Sequence, residues 1–309
     1  MLLVSLIGEQ QLPNYLPIIH LKPQRVLLIH SAKTAKQAER LKNVLEARLS
    51  GIEVRNIRIH PYLLHEDFEA IHKQLLGEAD VLFNITGGTK IMSNAAVLLA
   101  SQLGSDCIYY QSEGNLSRLY WYAIENNTPR PKNDEDLPEN LFTIEDYLKL
   151  YLGDYRCEGY HKDENGQLDE GGRFEQAVGE TLKQAGFEVL AGIRPAGEGN
   201  QLEIDLIFRL HNQMGIAEIK VGDAKGDSVK KGIDQLTTAG EREYLGTYVK
   251  RFLVTARNIK TQQKKYAYAH GVYLIELPVY SNLTPNQKGA HWQKMLTQEV
   301  KEYMSSTRR

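Results

Sequence analysis

Cysteine is scarce in this sequence, and long apolar runs are missing. Two cysteines, Cys107 and Cys157, occur among 309 residues, and they fit neither a disulfide framework nor a CxxC metal motif. No apolar run approaches the roughly 18 residues that a membrane span needs. Residues 1–8 lack the basic start of a signal peptide and are predicted to be a buried first strand. We therefore expect a cytoplasmic protein without a membrane segment.

An excess of positive charge is also missing. The chain has 37 Lys and Arg against 39 Asp and Glu, a formal net charge of −2. Proteins that hold nucleic acid permanently are usually basic. Nucleic-acid binding here would have to be local, metal-assisted or conditional. Basic residues do gather at 220–231 and 257–265, but each run taken singly is best explained as a solvated helix face.

The first part of the chain alternates short apolar runs with helical patterns. This alternation predicts a parallel sheet with helices on both faces, a Rossmann-like α/β layout. Strands are predicted over 2–7, 25–30, 53–59, 81–85, 106–110 and 119–124, and helices over 34–49, 68–76 and 93–103.

A proline-rich segment then marks a boundary. Residues 126–138 contain three prolines and many turn-forming residues, which is typical of a linker. We predict an N-terminal domain over 1–128, a linker with a connecting helix over 129–150, and a C-terminal domain over 151–309. In the last domain, helices are predicted over 174–186, 228–238 and 259–270, and strands over 188–193, 201–210, 213–221, 251–255 and 272–277.

Two neighbouring strands of the C-terminal domain carry a candidate catalytic site. Alternate residues of a strand face the same way, so Glu218 and Lys220 point together. Pairing around a turn at His211 and Asn212 would bring Asp205 close to Glu218. Two carboxylates can bind a hard cation such as Mg²⁺ or Mn²⁺, which activates water and polarises a phosphoryl oxygen. This pattern predicts phosphodiester hydrolysis, with Asp205 and Glu218 as metal ligands.

Each piece of this pattern is weak evidence alone. A Glu-x-Lys strand is more often an exposed cross-strand charge pair. Here the neighbours of Glu218 and Lys220 are apolar, and burial of a carboxylate beside a lysine needs a reason. Glu175, on the preceding helix, would supply a further carboxylate or position a metal-bound water. Glu203 is a rival to Asp205 for the central acid.

The order of these residues resembles that of the PD-(D/E)xK nucleases, the restriction-endonuclease-like superfamily. The resemblance covers residues 172–277. It matches Glu175 to the first-helix acid, Asp205 to the central acid, and Glu218 with Lys220 to the (D/E)xK pair. The PD dipeptide is absent because Ile204 precedes Asp205. The helix that carries Lys231 and Gln235 resembles the helix that follows the family's motif strand and supplies groups near the substrate.

A glycine pair marks a second candidate site in the N-terminal domain. Residues 84–93 lie where a strand passes into a helix, the place where open α/β sheets bind ligands. Gly87 and Gly88 would let the backbone approach a ligand, and the helix start with Lys90 would favour a phosphate. The segment matches neither a Walker A loop nor GxGxxG. Motif chemistry alone leaves a phosphate site and a plain tight turn equally supported.

The same loop resembles the signature of CARF domains, the Rossmann-like sensors of CRISPR systems. The TGGTK sequence at 86–90 occurs together with matching segments at 5–10, 12–17 and 27–34. The resemblance implies a homodimer that binds one cyclic oligoadenylate, commonly cyclic tetra-adenylate, across its two-fold axis. By position, the candidate contacts are Gln10, Asn14, Ser31, Thr34, Thr86, Gly87, Gly88, Thr89 and Lys90.

The two resemblances together imply a CRISPR ancillary nuclease of type III antiviral defence, in the Card/Can group. Such a protein cleaves DNA, RNA or both with a divalent metal once its activator binds. Two alternatives stay open at this point: a constitutive restriction or repair nuclease, and a CARF ligand-binding regulator without catalysis. The sequence also leaves open whether the sensor domain degrades its own ligand.

Overall fold

The structure is a computed structural model that describes residues 1–113, 116–197, 202–221, 227–241, 244–278, 280 and 291–306. The chain divides into two compact units. Unit 1 comprises Met1–Phe142 and Lys149–Tyr151, and unit 2 comprises Thr143–Leu148 and Leu152–Arg309. Within the described ranges, every helix is too short or too polar to cross a bilayer.

Unit 1 is built on a seven-stranded sheet with the order β3-β2-β1-β4-β5-β6-β7. The first five strands are parallel, as the alternating pattern predicts, and the last two pair antiparallel. The strands are β1 (Leu2–Leu6), β2 (Arg25–His30), β3 (Glu53–Arg58), β4 (Val81–Asn84), β5 (Asp106–Glu113), β6 (Leu116–Glu125) and β7 (Thr128–Asp136).

The helices of unit 1 follow the parallel strands. They are α1 (Leu12–Leu21), α2 (Ala35–Arg48), α3 (Leu64–Leu75) and α4 (Lys90–Leu103). Helix α1 was not predicted from the sequence, and it contains Pro13 and Pro17. Pro13 lies in the first turn, where backbone N–H groups have no helical acceptor in any case.

The predicted linker is wrong over its first part. Residues 128–136 form β7, an edge strand that pairs with β6, and the compact units divide after Phe142. Proline is tolerated on an edge strand because the missing N–H group can face solvent. Pro129 and Pro131 therefore did not prevent a strand here. The predicted connecting helix is present as α5 (Ile144–Tyr151).

Unit 2 contains a six-stranded mixed sheet with the order β13-β12-β11-β10-β9-β8. Strands β11, β12 and β13 are parallel, and β8 to β11 are antiparallel neighbours. The strands are β8 (Tyr155–Cys157), β9 (Glu188–Pro195), β10 (Ile204–Leu210), β11 (Gln213–Lys220), β12 (Lys250–Thr255) and β13 (Val272–Glu276). The remaining helices are α6 (Glu170–Gln184), α7 (Asp227–Ala239), α8 (Thr261–Ala269) and α9 (His291–Ser305).

The two faces of this sheet are covered by different helices. On one face, Ile219 and Val254 join the core formed with Phe174 of α6 and Trp292 of α9. Because side chains alternate along a strand, Glu218 and Lys220 lie on the other face. Helix α7 covers that face, where a Cβ atom built on Gly232 would lie 3.1 Å from Leu253 Cδ1.

Candidate functional site

The antiparallel pairing of β10 and β11 brings the predicted catalytic residues together. Leu206 pairs with Ala217, so Asp205 and Glu218 are the next residues along the register. Lys220 Nζ lies 2.7 Å from Glu218 Oε2 and 3.2 Å from Asp205 Oδ2. The backbone N–H of Ile219 donates to Asp205 Oδ2 at 2.7 Å. One ammonium group thus joins two carboxylates on the face that α7 covers.

This cluster carries more negative charge than its single lysine can neutralise. Glu218 is 1% exposed. Burial, and then the charge of Asp205, raise the pKa of Glu218 to about 8, against the opposing effect of Lys220. Burial alone would lower the pKa of Lys220, but Glu218 and Asp205 raise it. Lys220 therefore offsets only part of the effect of burial and of Asp205 on the pKa of Glu218, and a cation bound beside Glu218 would favour its ionised form.

Glu175 joins the cluster from α6. It is buried, and burial is the main cause of its raised pKa. The charge of Asp205 also raises the pKa of Glu175, whereas the hydrogen bond from the His161 backbone and the charge of Lys220 lower it. The His161 N–H donates to Glu175 Oε2 at 2.9 Å. Gly172 makes this approach possible, because a Cβ atom there would lie 1.9 Å from the His161 carbonyl oxygen. Glu175 thus lies near enough for the charges of Asp205 and Lys220 to act on it, while its carboxylate is hydrogen-bonded to the backbone of His161.

His161 is a residue of this site that the sequence analysis missed. Its Nδ1 lies 3.1 Å from Asp169 Oδ2, and Asp169 also caps α6 by accepting from the Gly172 N–H at 2.7 Å. The signal available in the sequence was indirect. Gly172 stands in the first turn of a helix, where glycine is costly unless something packs against it.

Glu203, the rival for the central acid, has another partner. Its Oε2 accepts from Arg194 Nη2 at 2.6 Å, and Arg194 also pairs with Glu158 at 2.8 Å. The carboxylate of Glu203 is thus held by β9, whereas Asp205 contacts both Lys220 and the backbone of β11.

The donor set is chemically suited to a hard divalent cation. Asp205 and Glu218 offer carboxylate oxygens, and such cations retain several water ligands beside a few carboxylates. In the described part of the chain, no three His, Cys, Asp or Glu side chains converge closely enough to hold a metal ion by themselves. Two carboxylates, water and a substrate phosphate would have to complete the coordination.

Helix α7 lies directly over the lysine. A Cβ atom built on Gly232 would be 3.4 Å from Lys220 Cε and 3.6 Å from Glu218 Cβ. The neighbouring Lys231 is exposed, and Gln235, one turn further on, is half-buried. The helix that the resemblance matched to the family's substrate-side helix therefore packs against Lys220 and Glu218.

The nine candidate ligand contacts of unit 1 follow three adjacent strands. Strand β1 lies between β2 and β4, and the candidates follow the C-terminal end of each. Gly87 packs against β1 so closely that a Cβ atom would lie 2.0 Å from the Leu6 carbonyl oxygen. Gly88 has a φ of +72°, which favours glycine. Both glycines are required by this turn.

Several candidate side chains are engaged within this edge. Thr86 Oγ1 donates to Asn84 Oδ1 at 2.6 Å and accepts from the Tyr110 N–H at 2.8 Å. Thr89 caps α4 by accepting from the Met92 N–H and donates to the Pro61 carbonyl at 2.7 Å. The Ser31 and Thr34 hydroxyls lie 3.2 Å apart. These groups fix the shape of the loops.

Two other candidates have spare hydrogen-bonding capacity. The buried Nδ2 of Asn14 has no partner in the described structure, while its Oδ1 accepts from Ser5 Oγ at 2.7 Å. Lys90 is exposed at the start of α4. Gln10 lies beside Tyr151, whose hydroxyl donates to Gln10 Oε1 at 3.4 Å. A buried donor and an exposed cation therefore flank the glycine turn.

Comparison with known families decides the nature of unit 1. Residues 2–147 match the family described as the Card1 CARF domain. These residues form a CARF domain. The resemblance drawn from the TGGTK loop is confirmed, and the candidate ligand edge is the C-terminal edge of the CARF sheet. No curated protein matches the chain in sequence.

Solved structures extend the likeness beyond the CARF domain. Can2 from Sulfobacillus thermosulfidooxidans, solved with cyclic tetra-adenylate, is 17% identical, with a TM-score of 0.73 over 98% of this chain and 99% of that one. Protein VC1899 from Vibrio cholerae is 16% identical, with a TM-score of 0.74 over 99% and 98%. A type III CRISPR defence DNA nuclease activated by cyclic oligoadenylate is 18% identical, with a TM-score of 0.61 over 83% of this chain and 45% of that one. The predicted α/β fold with an N-terminal CARF domain is confirmed, and the whole chain shares the fold of Can2.

Proposed function

We propose that this protein is a cyclic-oligoadenylate-activated, divalent-metal-dependent nuclease of type III CRISPR defence. The observation that carries the proposal is the convergence of Asp205, Glu218 and Lys220, with Glu175, in a chain that also contains a CARF domain. Two structural neighbours support the activator, since Can2 was solved with cyclic tetra-adenylate and the type III CRISPR defence DNA nuclease is activated by cyclic oligoadenylate.

Asp205 and Glu218 would hold Mg²⁺ or Mn²⁺ beside the scissile phosphate. A bound divalent cation supplies Lewis acidity and lowers the pKa of its water. The carboxylates need this cation, because burial and mutual repulsion oppose the ionisation of Glu218. Lys220, released from part of its contact with both acids, would stabilise negative charge on the phosphate in the transition state. Glu175 would orient a water on the α6 side.

The CARF edge would bind the activator through its glycine turn. Gly87 and Gly88 bring backbone N–H groups to the start of α4, where the helix dipole favours an anion. Lys90 adds a positive charge, and Asn14 Nδ2 offers an unpartnered donor. We propose that two chains share one cyclic oligoadenylate across a two-fold axis, with cyclic tetra-adenylate as the activator. A net charge of −2 suits an effector with little resting affinity for nucleic acid.

The experiment is metal-dependent cleavage measured with and without cyclic tetra-adenylate. Plasmid DNA and single-stranded RNA are incubated with Mg²⁺ or Mn²⁺. We expect cleavage only when both metal and activator are present, and we expect EDTA to abolish it. Glu218→Ala or Asp205→Ala should remove cleavage and leave activator binding unchanged. Wild-type cleavage by either variant would refute the site assignment.

A second pair of variants separates the gating from the chemistry. Lys90→Ala should raise the activator concentration needed for half-maximal cleavage and leave the rate at saturation largely unchanged. Glu203→Ala, which removes the acid that Arg194 binds, should retain cleavage. Equal activity with and without cyclic tetra-adenylate would favour the constitutive nuclease. Activator binding without any cleavage would favour the regulator.

A further inference from the structure

A histidine–aspartate pair beside Glu175 is not used by the chemistry described so far. His161 Nδ1 lies 3.1 Å from Asp169 Oδ2, and the His161 side chain is 56% exposed. The backbone N–H of the same histidine donates to Glu175 Oε2 at 2.9 Å, and a charge on the His161 ring acts on that carboxylate. The ring is therefore tied, through its own backbone, to the carboxylate that would orient the water, and it stays open to solvent.

The aspartate decides which ring nitrogen of His161 is free. A carboxylate only accepts hydrogen bonds, so Nδ1 carries the proton that joins the pair, and Nε2 of the neutral ring carries none. The N–H of Gly172, and after it the His161 ring, hold the pKa of Asp169 below its usual range against burial. Asp169 therefore stays ionised at neutral pH. An imidazole oriented in this way by an aspartate accepts a proton at Nε2 in serine-protease triads.

The segment that carries His161 is fixed on both sides. Before it, residues 158–159 donate their N–H groups to carbonyls of β9 at 2.9 and 3.2 Å. After it, Lys162 forms an isolated β-bridge with Leu168. Gly172 admits the His161 carbonyl to the start of α6, where a Cβ atom would lie 1.9 Å from it. An exposed ion pair adds at most about 1 kcal/mol to stability, whereas a catalytic group has to be held by rigid supporting contacts of this kind.

We propose that His161, oriented by Asp169, is the general base of the cleavage reaction. Nε2 takes a proton from the water that Glu175 orients. The oxygen of this water forms the new bond to phosphorus, the bond from phosphorus to the leaving oxygen breaks, and the leaving oxygen takes a proton from solvent. The imidazolium then releases its extra proton to solvent through the exposed ring. The inference rests on the proposed nuclease function and adds a proton acceptor to it.

The first test removes the base and keeps the backbone. His161→Gln retains the N–H group that Glu175 accepts, and it changes a mostly exposed side chain. General-base catalysis contributes about 10²–10⁴ in rate, so the single-turnover rate constant with Mn²⁺ and cyclic tetra-adenylate should fall at least about 100-fold. KM for the nucleic acid and the activator midpoint should stay unchanged. The matched control is His20→Gln, which breaks another histidine–carboxylate pair, with Glu135 at 3.5 Å, and should cleave at the wild-type rate.

Asp169→Asn tests the orientation of the ring. Asp169 accepts from the Gly172 N–H through Oδ1 at 2.7 Å and faces His161 through Oδ2. Asparagine caps a helix as well as aspartate does, so its oxygen can keep the bond to Gly172 while its amide nitrogen faces Nδ1. The ring would then carry its proton on Nε2 and could not act as a base. Stability should stay close to that of the wild type, and the rate should fall as in His161→Gln, because the same exchange disables the histidine of a serine-protease triad.

Nuclear magnetic resonance reads the tautomer without any cleavage. Full-length protein is prepared with isotope-labelled histidine, and the His161 signals are identified by their loss in His161→Gln. At a pH where the ring is neutral, the proton should be on Nδ1 in the wild type and on Nε2 in Asp169→Asn. A wild-type ring with its proton on Nε2 would overturn the inference.

Imidazole and pH separate a proton acceptor from a structural contact. Added imidazole should restore part of the cleavage by His161→Ala and none of that by Asp205→Ala. The wild-type rate should rise with pH over the range in which histidine loses its proton, about pH 5–8, and His161→Gln should lose this rise. The charged groups around the ring, Asp169, Glu175 and Arg173, are the same in the two proteins.

The failure of this inference and that of the proposed nuclease differ. A wild-type rate in His161→Gln or in Asp169→Asn would overturn the base and leave a nuclease that depends on Glu218. A slower His161→Gln protein with the wild-type pH profile, together with no rescue by imidazole, would show a structural contact and also overturn the base. Wild-type protein that cleaves under no condition would refute the nuclease and the base with it.

Discussion

Replacing Gly172 by alanine tests how Glu175, a proposed catalytic carboxylate, is held in place. Alanine is a better helix former than glycine by about 1 kcal/mol, so helix propensity alone predicts a more stable protein. The contacts predict the opposite. A Cβ atom at Gly172 would lie 1.9 Å from the His161 carbonyl oxygen, where a C···O contact normally needs about 3.3 Å. The segment at His161 would have to move by about 1.4 Å.

This displacement has a cost that can be approximated. The same segment donates its N–H to Glu175 at 2.9 Å, and a hydrogen bond to a charged group contributes about 1.5–3 kcal/mol. Overpacking adds about 1–3 kcal/mol. After the gain in helix propensity, we expect the free energy of unfolding to fall by about 2 kcal/mol or more. Cleavage should fall as well, since Glu175 loses its backbone donor.

The neighbouring glycine provides a matched control. A Cβ atom on Gly171 would meet only Asp169 Oδ1, at 3.4 Å, so Gly171→Ala should be neutral or stabilising by up to about 1 kcal/mol. Urea unfolding should be followed by tryptophan fluorescence in a Trp121→Phe background. The chain has two tryptophans, and the remaining Trp292 lies in the core of unit 2. Equal stability of the Gly171→Ala and Gly172→Ala proteins would refute the packing argument.

Three further predictions concern other parts of the molecule. Asp67 is 0% exposed, and neither of its carboxylate oxygens has a hydrogen-bond partner among the residues that the structure describes. Burial raises the pKa of Asp67 above 3.8, so the folded state holds the proton more tightly. The contribution of Asp67 to stability should be fully present below its unfolded-state pKa and should be lost as pH rises through its raised folded-state pKa. Thermal unfolding of wild type and Asp67→Asn at several pH values should differ by this contribution, and identical pH profiles would contradict it. Gly87→Ala places a Cβ atom 2.0 Å from the Leu6 carbonyl oxygen. This substitution should lower the Tm of unit 1 and weaken activator binding, both measured by calorimetry. Lys90→Ala should leave the Tm of unit 1 unchanged. Adding Mn²⁺ at about 100 times its Kd should stabilise unit 2 of the wild type by about 2.7 kcal/mol. A protein carrying Asp205→Asn and Glu218→Gln should not be stabilised. Equal stabilisation of the wild type and the double variant would place the metal elsewhere.

The sequence predicted the elements whose pattern is set by local chemistry. Strand β2 begins and ends where it was predicted, because a continuous apolar run fixes it, and the predicted connecting helix is present as α5. The same holds for the catalytic residues, since strand alternation alone decides that Glu218 and Lys220 share a face. Proline misled the prediction at β7, because the cost of proline depends on whether a backbone N–H group is needed as a donor at that position.

Residues whose role depends on distant contacts could not be predicted. The choice between Asp205 and Glu203 depends on Arg194, which is on another strand and binds Glu203. His161 reaches Glu175 only because a loop and a helix meet at Gly172. The bonds that Thr86 makes with Asn84 and Tyr110 likewise join three strand ends, and no spacing in the sequence indicates them.

Strand β7 also has a consequence for the chain in crowded solution. An open sheet edge is a template on which another chain can add a strand, and this is a common route to aggregation. Here the edge carries Pro129 and Pro131, which cannot donate a ladder hydrogen bond, followed by exposed charges at Lys132 and Asp134. A second chain that tried to extend the sheet at β7 would meet missing donors and charged side chains. The prolines and charged residues that led to the linker prediction thus protect this edge against the addition of another strand. Replacing both prolines with threonine should promote self-association.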